Sequence, residues 1–104
     1  MPVWSRLSRS APDEATAFQL SDPAYANDQE VAAMHALYGR NQQCAQTALA
    51  ALSSTAPGMI PIASSYFTNS FQNADLLEQR KITWGEFNTR QAVLFRQILA
   101  EIGG

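Results

Sequence analysis

The sequence predicts an all-α protein: an up-down bundle of three main helices preceded by a short one. Three observations support this prediction. Apolar residues recur every three or four positions in three long segments, which is the spacing of one helix face. Residues that start and stop helices stand at the ends of these segments. No segment alternates polar and apolar residues for long enough to indicate a β-strand.

The first ten residues show neither a helical nor a strand period. We therefore expect residues 1–10 to form a flexible N-terminal arm unless Trp4 or Leu7 docks on the rest of the chain. A chain of 104 residues has room for one compact core. Residues 11–104 are accordingly predicted to form a single helical domain.

A short helix is predicted over residues 12–20. Ser10 can cap it, and Pro12 stands in the first turn. Proline has no backbone N–H, but an N–H in the first turn would have no acceptor within the helix. Asp13 and Glu14 follow, and their negative charges favour the positive end of the helix dipole.

The first long helix is predicted over residues 28–53. Gly39 lies in its middle and costs about 1 kcal/mol relative to alanine. Tyr38 and Ala45 nevertheless lie one heptad apart across this glycine, so we predict one continuous helix rather than two. Two starts remain open, at Asp22-Pro23 and at Asn27-Asp28-Gln29-Glu30.

The next helix is predicted over residues 60–80. Pro61 is suited to its first turn, and apolar residues continue at helical spacing as far as Arg80. Arg80 and Lys81 stand where cations complement the carbonyl end of a helix. The short segment after them predicts a tight turn between two antiparallel helices.

The last helix is predicted over residues 84–102, and its start is the most informative stretch of the chain. The Thr83 hydroxyl can cap the free amides, and Glu86 can reach back to the Thr83 amide. Ile82 can pack on Phe87 as a hydrophobic staple across the same turn.

This last helix carries its apolar residues on one stripe, and Gly103 is available as its stop. The stripe contains Phe87, Gln91, Leu94, Phe95, Ile98 and Ile102.

Composition excludes several kinds of partner. The net charge is −2, from 7 basic and 9 acidic residues, so there is no basic stripe for a nucleic acid. No apolar run reaches about 18 residues, so we expect no membrane-spanning segment. Cys44 is the only cysteine, which excludes an intrachain disulfide.

Catalytic chemistry has little support in this chain. His35 is the single histidine, and Cys44 lies half a helical turn away from it around the same helix. We interpret His35 as a surface or interface residue and Cys44 as a small packing residue. Glycine-rich phosphate loops and CxxC motifs are absent from the sequence. We expect no catalytic site, no cofactor and no metal site.

Aromatic residues of the C-terminal half are the best candidates for recognition. If Tyr66 and Trp84 lay together on the outside, they would form an amphipathic patch for a partner protein or an apolar ligand. Tyr38 and Arg90 complete the candidate interaction residues, because Arg90 could hold a carboxylate.

We therefore predict a non-catalytic protein-interaction module, such as an adaptor, an accessory subunit or an inhibitor-like protein. Its partner is another protein or a second copy in a homodimer, which the alanines of the first long helix would favour by allowing close helix approach. The alternative is a helical bundle that binds a small apolar ligand.

The run from Lys81 to Arg90, Lys-Ile-Thr-Trp-Gly-Glu-Phe-Asn-Thr-Arg, resembles a pattern in small, largely uncharacterised exported helical proteins of Gram-negative bacteria. In that group the run opens the last helix, and it covers about a tenth of this chain. The resemblance implies a periplasmic or exported setting. The first residues of the sequence contain neither the apolar core of a signal peptide nor a lipidation cysteine, so a cytoplasmic location is the alternative.

Overall fold

The structure, a computed structural model, describes residues 3, 5–7 and 11–103, and within this part it is all-α as predicted. Helix α1 spans Ala17–Leu20, α2 spans Asp28–Thr55, α3 spans Ile60–Glu78 and α4 spans Trp84–Gly103. Two 3₁₀ turns, Pro12–Glu14 and Pro57–Met59, precede α1 and α3. The described residues include no β-strand.

The short helix predicted over residues 12–20 is in fact two pieces. The Pro12–Glu14 turn ends at Ala15, and the chain is extended at Thr16 before α1 begins. Thr16 restarts the helix because its hydroxyl accepts the Gln19 amide at 3.1 Å. In return, Gln19 Oε1 accepts the Thr16 amide at 3.0 Å. This capping box, which the prediction missed, accounts for the break.

Of the two possible starts for α2, the structure uses the second. Asn27 Oδ1 accepts the Glu30 amide at 2.8 Å, and Glu30 Oε1 accepts the Asn27 amide at 3.0 Å. The helix then continues through Gly39 without a break, as predicted, and ends at Thr55, two residues after its predicted end. Asp22 does not start α2. It lies in the loop before that helix, where its carboxylate accepts the Ala24 amide at 3.0 Å.

Helix α3 ends at Glu78, two residues before its predicted end. Arg80 adopts the left-handed conformation, with φ of 57°. Its amide donates to the Leu77 carbonyl at 3.0 Å, and the Lys81 amide donates to the Leu76 carbonyl at 2.9 Å. These two bonds form a Schellman motif, which normally places glycine where Arg80 stands.

The Arg80 side chain does not complement the carbonyl end of α3 as predicted. Its Nε donates to the Ala26 carbonyl at 2.8 Å, and its Nη2 pairs with the Asp28 carboxylate. Arg80 therefore connects the α3–α4 turn to the start of α2.

The predicted capping box of α4 is confirmed. Thr83 Oγ1 accepts the Glu86 amide at 3.2 Å, and Glu86 Oε1 accepts the Thr83 amide at 3.1 Å. Ile82 and Phe87, the predicted staple, are both buried in the same apolar cluster. Gly103 is still helical, so it does not stop α4 as predicted.

The three long helices form a bundle in which α2 and α4 meet through side chains: the rings of Tyr38 and Phe87 lie 6.4 Å apart. Helix α3 packs against both α2 and α4, whereas the backbones of α2 and α4 do not approach each other closely. The Pro12–Glu14 turn and α1 pack on α4. The buried core lies where α2 begins, α3 ends and α4 begins; it contains Val3, Ala26, Met34, Ala74, Leu77, Ile82, Trp84 and Phe87.

Val3 and Leu7 belong to the segment that is predicted to be a flexible arm. Val3 is fully buried, and Leu7 packs against the core cluster. The sequence predicts a flexible arm unless Trp4 or Leu7 docks on the rest of the chain, and Leu7 does dock. The other residues of that segment, apart from Ser5 and Arg6, lie outside the described part of the chain.

Candidate interaction site

An apolar groove of about 390 Å³ lies beside α2 and α3, and Tyr38 in its lining also packs against the core cluster. We call it the distal groove. Helices α2 and α3 supply most of its lining, and Pro12 and Gln91 of α4 complete it. Its lining is Pro12, Tyr38, Asn41, Cys44, Ala45, Ala48, Tyr66, Phe67, Ser70, Phe71 and Gln91.

Aromatic rings in contact form the floor of the distal groove. The Tyr38 ring meets Phe71 edge-on at 5.9 Å between centroids. Phe71 stacks on Phe67 at 6.3 Å, and Phe67 meets Tyr66 at 5.8 Å. Such ring pairs stabilise one another by about 0.5–1.5 kcal/mol beyond the area that they bury. The floor is therefore preorganised rather than a collapsible set of flexible chains.

A polar cluster supports this floor from below. Gln91 Nε2 donates to the Tyr38 hydroxyl at 3.1 Å and to the Ser70 hydroxyl at 2.9 Å. Gln91 Oε1 accepts from Asn73 Nδ2 at 2.9 Å. Every buried side-chain nitrogen and oxygen in the described part of the chain has a hydrogen-bond partner. The cluster therefore fixes the positions of α2, α3 and α4 around the groove.

The distal groove carries no charge at neutral pH. Among the described residues, no acidic, basic or histidine side chain lines it. Burial raises the pKa of the Tyr38 hydroxyl, although its hydrogen bonds with Ser70 and Gln91 act in the opposite direction. Burial also raises the pKa of Tyr66. Both phenols are therefore neutral, and the groove selects for apolar groups with a few uncharged polar ones.

Of the four candidate residues, the structure brings two together. Tyr38 and Tyr66 both line the distal groove, and both are partly exposed. Trp84 is fully buried, so the exposed patch of Tyr66 and Trp84 does not exist. The first position of α4 faces inward because the loop before α2 lies against it: the Trp84 amide donates to the Ala24 carbonyl at 2.8 Å.

Arg90 lies apart from the distal groove. It is exposed, and it lines a shallow depression of about 400 Å³ between α4 and the segment 20–23. Among the described residues Arg90 forms no ion pair. It is available to a carboxylate, but it cannot act together with Tyr38 and Tyr66 on one small ligand.

His35 is a surface residue, as the sequence predicts. Its side chain is 87% exposed, and its Nδ1 lies 3.3 Å from Glu78 Oε1. Cys44 is also exposed, so the prediction that it packs inside is wrong: it stands at the edge of the distal groove. Within residues 3, 5–7 and 11–103, no cluster of three or more histidine, cysteine or acidic residues could hold a metal ion.

Sequence reasoning missed the polar cluster around Gln91. Ser70 and Gln91 fall on the apolar stripes of their helices, where polar residues are exceptions. Because buried polar groups need hydrogen-bond partners, polar residues on the apolar stripes of two facing helices predict a hydrogen bond between them. Asn73 completes the cluster one turn further along α3.

Comparison of the chain with known protein families, curated proteins and solved structures found no match. In the part of the chain that the structure describes, no helix is both long and apolar enough to cross a bilayer. Any functional inference therefore depends on the geometry of the grooves and on the chemistry of their residues.

Proposed function

We propose that this protein is a non-catalytic protein-interaction module that receives an amphipathic helix of a partner protein in the distal groove. An adaptor, an accessory subunit and an inhibitor-like protein are the forms that this role would take. The observation that supports it is the uncharged, largely aromatic groove that α2 and α3 line.

The lining of the groove favours a helix as the occupant, because it is largely aromatic and apolar and is supplied mainly by the two helices α2 and α3. A partner helix with apolar residues three and four positions apart would cover the rings of Tyr66 and Phe67. The absence of charge in the lining favours a partner helix whose contact face is uncharged.

Helix α4 has further uncovered apolar surface beyond the groove. Leu99 is 49% exposed and Ile102 is 53% exposed, although the sequence places Ile102 on the stripe that faces the core. These two side chains lie on the last turns of α4, where a partner could cover them.

A small apolar ligand is the second candidate, because one specific observation favours it. The groove volume of about 390 Å³ lies within the range of about 300–1,000 Å³ that is usual for small-molecule sites. Saturable binding of a long-chain fatty acid, which Tyr66→Ala weakens at least tenfold, would favour this candidate over a partner helix.

Cys44 provides a direct test of the partner-helix proposal, because it is the only cysteine and stands exposed at the groove edge. A photoreactive group attached to Cys44 should crosslink a protein in an extract of the source organism. Mass spectrometry then identifies the crosslinked segment, and a synthetic peptide of that segment should bind and become helical. Tyr66→Ala should weaken this peptide at least tenfold.

The matched control moves the attachment point by one residue. Gln43→Cys in a Cys44→Ser background places the group on an exposed position of α2 outside the groove lining. Crosslinking from position 43 should fail. Equal crosslinking from both positions, or a crosslinked segment whose peptide does not bind, contradicts the proposal.

We propose that the protein is periplasmic or exported, because the Lys81–Arg90 run resembles that of small exported helical proteins of Gram-negative bacteria. A cytoplasmic location is the alternative. Fractionation of the source organism with an antibody against the protein distinguishes the two.

A further inference from the structure

A second groove, of about 520 Å³, is lined by α2 and α3 and carries negative charge. The carboxylates of Asp75 and Glu78 line it, and no lysine or arginine among the described residues does. The two acids are three positions apart on α3, so they stand on the same face of that helix. We call this surface the acidic groove, and its charge attracts cations.

Glu78 is largely shielded from water but has no permanently charged partner among the described residues. Its side chain is 16% exposed, and its ion-pair partner is His35, whose Nδ1 lies 3.3 Å from Glu78 Oε1. A histidine carries a full positive charge only when it is protonated. A carboxylate that has lost most of its hydration interacts strongly with a cation that reaches it. Glu78 therefore favours a cation that stays charged at neutral pH.

Gly39 gives an independent indication of a ligand. It lies in the middle of α2, is exposed and lines the acidic groove. A glycine inside a helix costs stability relative to alanine, and a Cβ at this position would meet nothing within 4 Å. No contact within the described part of the chain therefore requires the glycine. The close approach of another molecule to the helix backbone would explain it.

The acidic groove also offers apolar surface to the stem of a ligand. The rings of Tyr38 and Phe71 line it, and both are partly exposed. Aromatic rings attract a nearby cation through their π faces, and the methylene stem of an amine packs on apolar surface while its head stays polar. Two carboxylates supply hydrogen-bond acceptors but not the coordination sphere that a bare metal ion needs. The lining therefore fits an organic cation with an apolar stem.

We propose that the acidic groove binds an alkylammonium ion, with the ammonium group between Asp75 and Glu78 and the alkyl stem across Gly39. The ammonium N–H groups donate to the two carboxylates. The stem lies against the bare backbone at Gly39, where a side chain would occupy its place. A free alkylamine and the lysine side chain of another protein share this chemistry.

The ammonium site is independent of the distal groove. The two grooves share Tyr38 and Phe71, but Asp75, Glu78 and Gly39 do not line the distal groove. Substitutions at these three positions test the ammonium site and leave the partner-helix proposal standing, and Tyr66→Ala does the reverse.

Titration of the whole ¹⁵N-enriched chain with n-pentylammonium chloride tests the proposal by NMR. The Gly39 amide and the side-chain amides of Gln42 and Gln72, which line the acidic groove, should shift and saturate. The amide of Gly85, which is buried at the start of α4, should not shift. 1-Pentanol has the same stem without the charge and should shift none of these signals. Equal shifts with 1-pentanol, or with magnesium chloride at the same ionic strength, overturn the proposal.

Charge variants test the ammonium contact. Asp75→Asn and Glu78→Gln should each weaken n-pentylammonium about fivefold or more, because each removes one carboxylate. Glu101→Gln, on an exposed residue of α4 outside the groove lining, should leave the affinity unchanged. His35→Lys places an ammonium group of the chain beside Glu78 and should also weaken binding, whereas His35→Gln should not. Equal affinities of His35→Lys and His35→Gln overturn the proposal.

Gly39→Leu separates binding from folding. The leucine fills the space beside the helix backbone and also improves helix propensity. The affinity for n-pentylammonium should therefore fall about fivefold or more, while the urea midpoint of unfolding does not fall. Ala36→Leu places the same side chain on an exposed position of α2 outside the groove lining and should retain the affinity. Unchanged affinity in Gly39→Leu overturns the proposal.

Two further amines distinguish the sources of the ammonium group. Tighter binding of spermidine than of Nα-acetyl-lysine methylamide supports a free amine as the ligand. The opposite order supports a lysine side chain of another protein. Failure of all three amines to saturate the groove signals overturns the proposal.

Discussion

Trp84 and Glu30 stand 54 positions apart in sequence and share a hydrogen bond at 3.3 Å, from the indole Nε1 to Oε1 of the carboxylate. Trp84 is the first residue of α4, and Glu30 caps α2. The same Glu30 carboxylate also accepts from Arg6. One buried carboxylate therefore connects Arg6 and the starts of two helices.

Trp84→Phe should destabilise the protein by about 1–3 kcal/mol, because it removes buried volume and leaves Glu30 with one hydrogen bond fewer. Urea unfolding followed by circular dichroism measures this change. Tyr25→Phe is the control, since Tyr25 is 53% exposed and its replacement should change stability by less than about 0.5 kcal/mol. Equal effects of the two substitutions would contradict the role of Trp84.

The protein should lose stability in acid through Glu30. Burial alone would raise the pKa of Glu30, but hydrogen bonds from the Asn27 amide, Arg6 and Trp84 outweigh burial and lower the pKa below its ordinary value of 4.5. The folded state therefore binds this proton less readily than the unfolded state. The contribution of Glu30 to stability is complete above about pH 4.5 and is lost as the pH falls through the folded pKa.

Urea midpoints measured from about pH 7 to about pH 3 test this dependence. The midpoint of the wild-type protein should fall below about pH 4.5 more steeply than that of Glu30→Gln, which has no carboxylate to protonate there. Glu101→Gln, on an exposed residue of α4, should retain the wild-type slope. A Glu30→Gln variant with an unchanged slope would show that other carboxylates control the acid sensitivity.

Gly85 and Gly39 should respond in opposite ways to alanine. A Cβ on Gly85 would lie 2.8 Å from the backbone of Asp22 and from the Leu20 carbonyl, which are not free to move aside. Gly85→Ala should therefore cost about 1–3 kcal/mol or more. A Cβ on Gly39 meets nothing within 4 Å, so Gly39→Ala should stabilise α2 by about 0.5–1 kcal/mol. Thermal unfolding of both variants in one buffer checks the pair; a shift of the same sign in both contradicts it.

Arg80 allows backbone strain to be separated from side-chain contacts. Arg80→Ala loses the hydrogen bond to the Ala26 carbonyl and the pairing with Asp28 while keeping a side chain at φ of 57°. Arg80→Gly loses the same contacts but relieves the strain. We expect Arg80→Gly to be more stable than Arg80→Ala by about 1 kcal/mol in denaturant unfolding. Equal stability of the two would mean that Arg80 is not strained.

The burial of the ion pairs predicts how the stability of two variants depends on salt. The pairs of Arg6 with Asp22 and Glu30 involve carboxylates shielded from solvent, whereas the pair of Arg80 with Asp28 is open to it. Salt screens exposed pairs far more than buried ones, so the stability lost in Arg80→Ala should shrink between about 0.05 M and about 1 M NaCl. The loss in Arg6→Ala should persist. Equal salt dependence of the two losses would contradict the difference in burial.

Much of the helical architecture was determined by local sequence. The Thr83–Glu86 capping box and the continuity of α2 through Gly39 follow from residues within a few positions of one another, and both are as predicted. Helix ends, caps and stripes depend on interactions three or four residues apart, which periodicity detects.

The tertiary structure alone decided which residues face water and which meet. Trp84 is buried because a loop about 60 residues earlier in the chain packs on the start of α4, and the same close approach requires a glycine at position 85. The pairing of Arg6 with Asp22 and Glu30, and the meeting of Tyr38 with Tyr66 in one groove, also join residues distant in sequence. A helical period assigns a side chain to a face of its own helix. It carries no information about which distant segment covers that face, because the covering segment is selected by the packing of the whole chain.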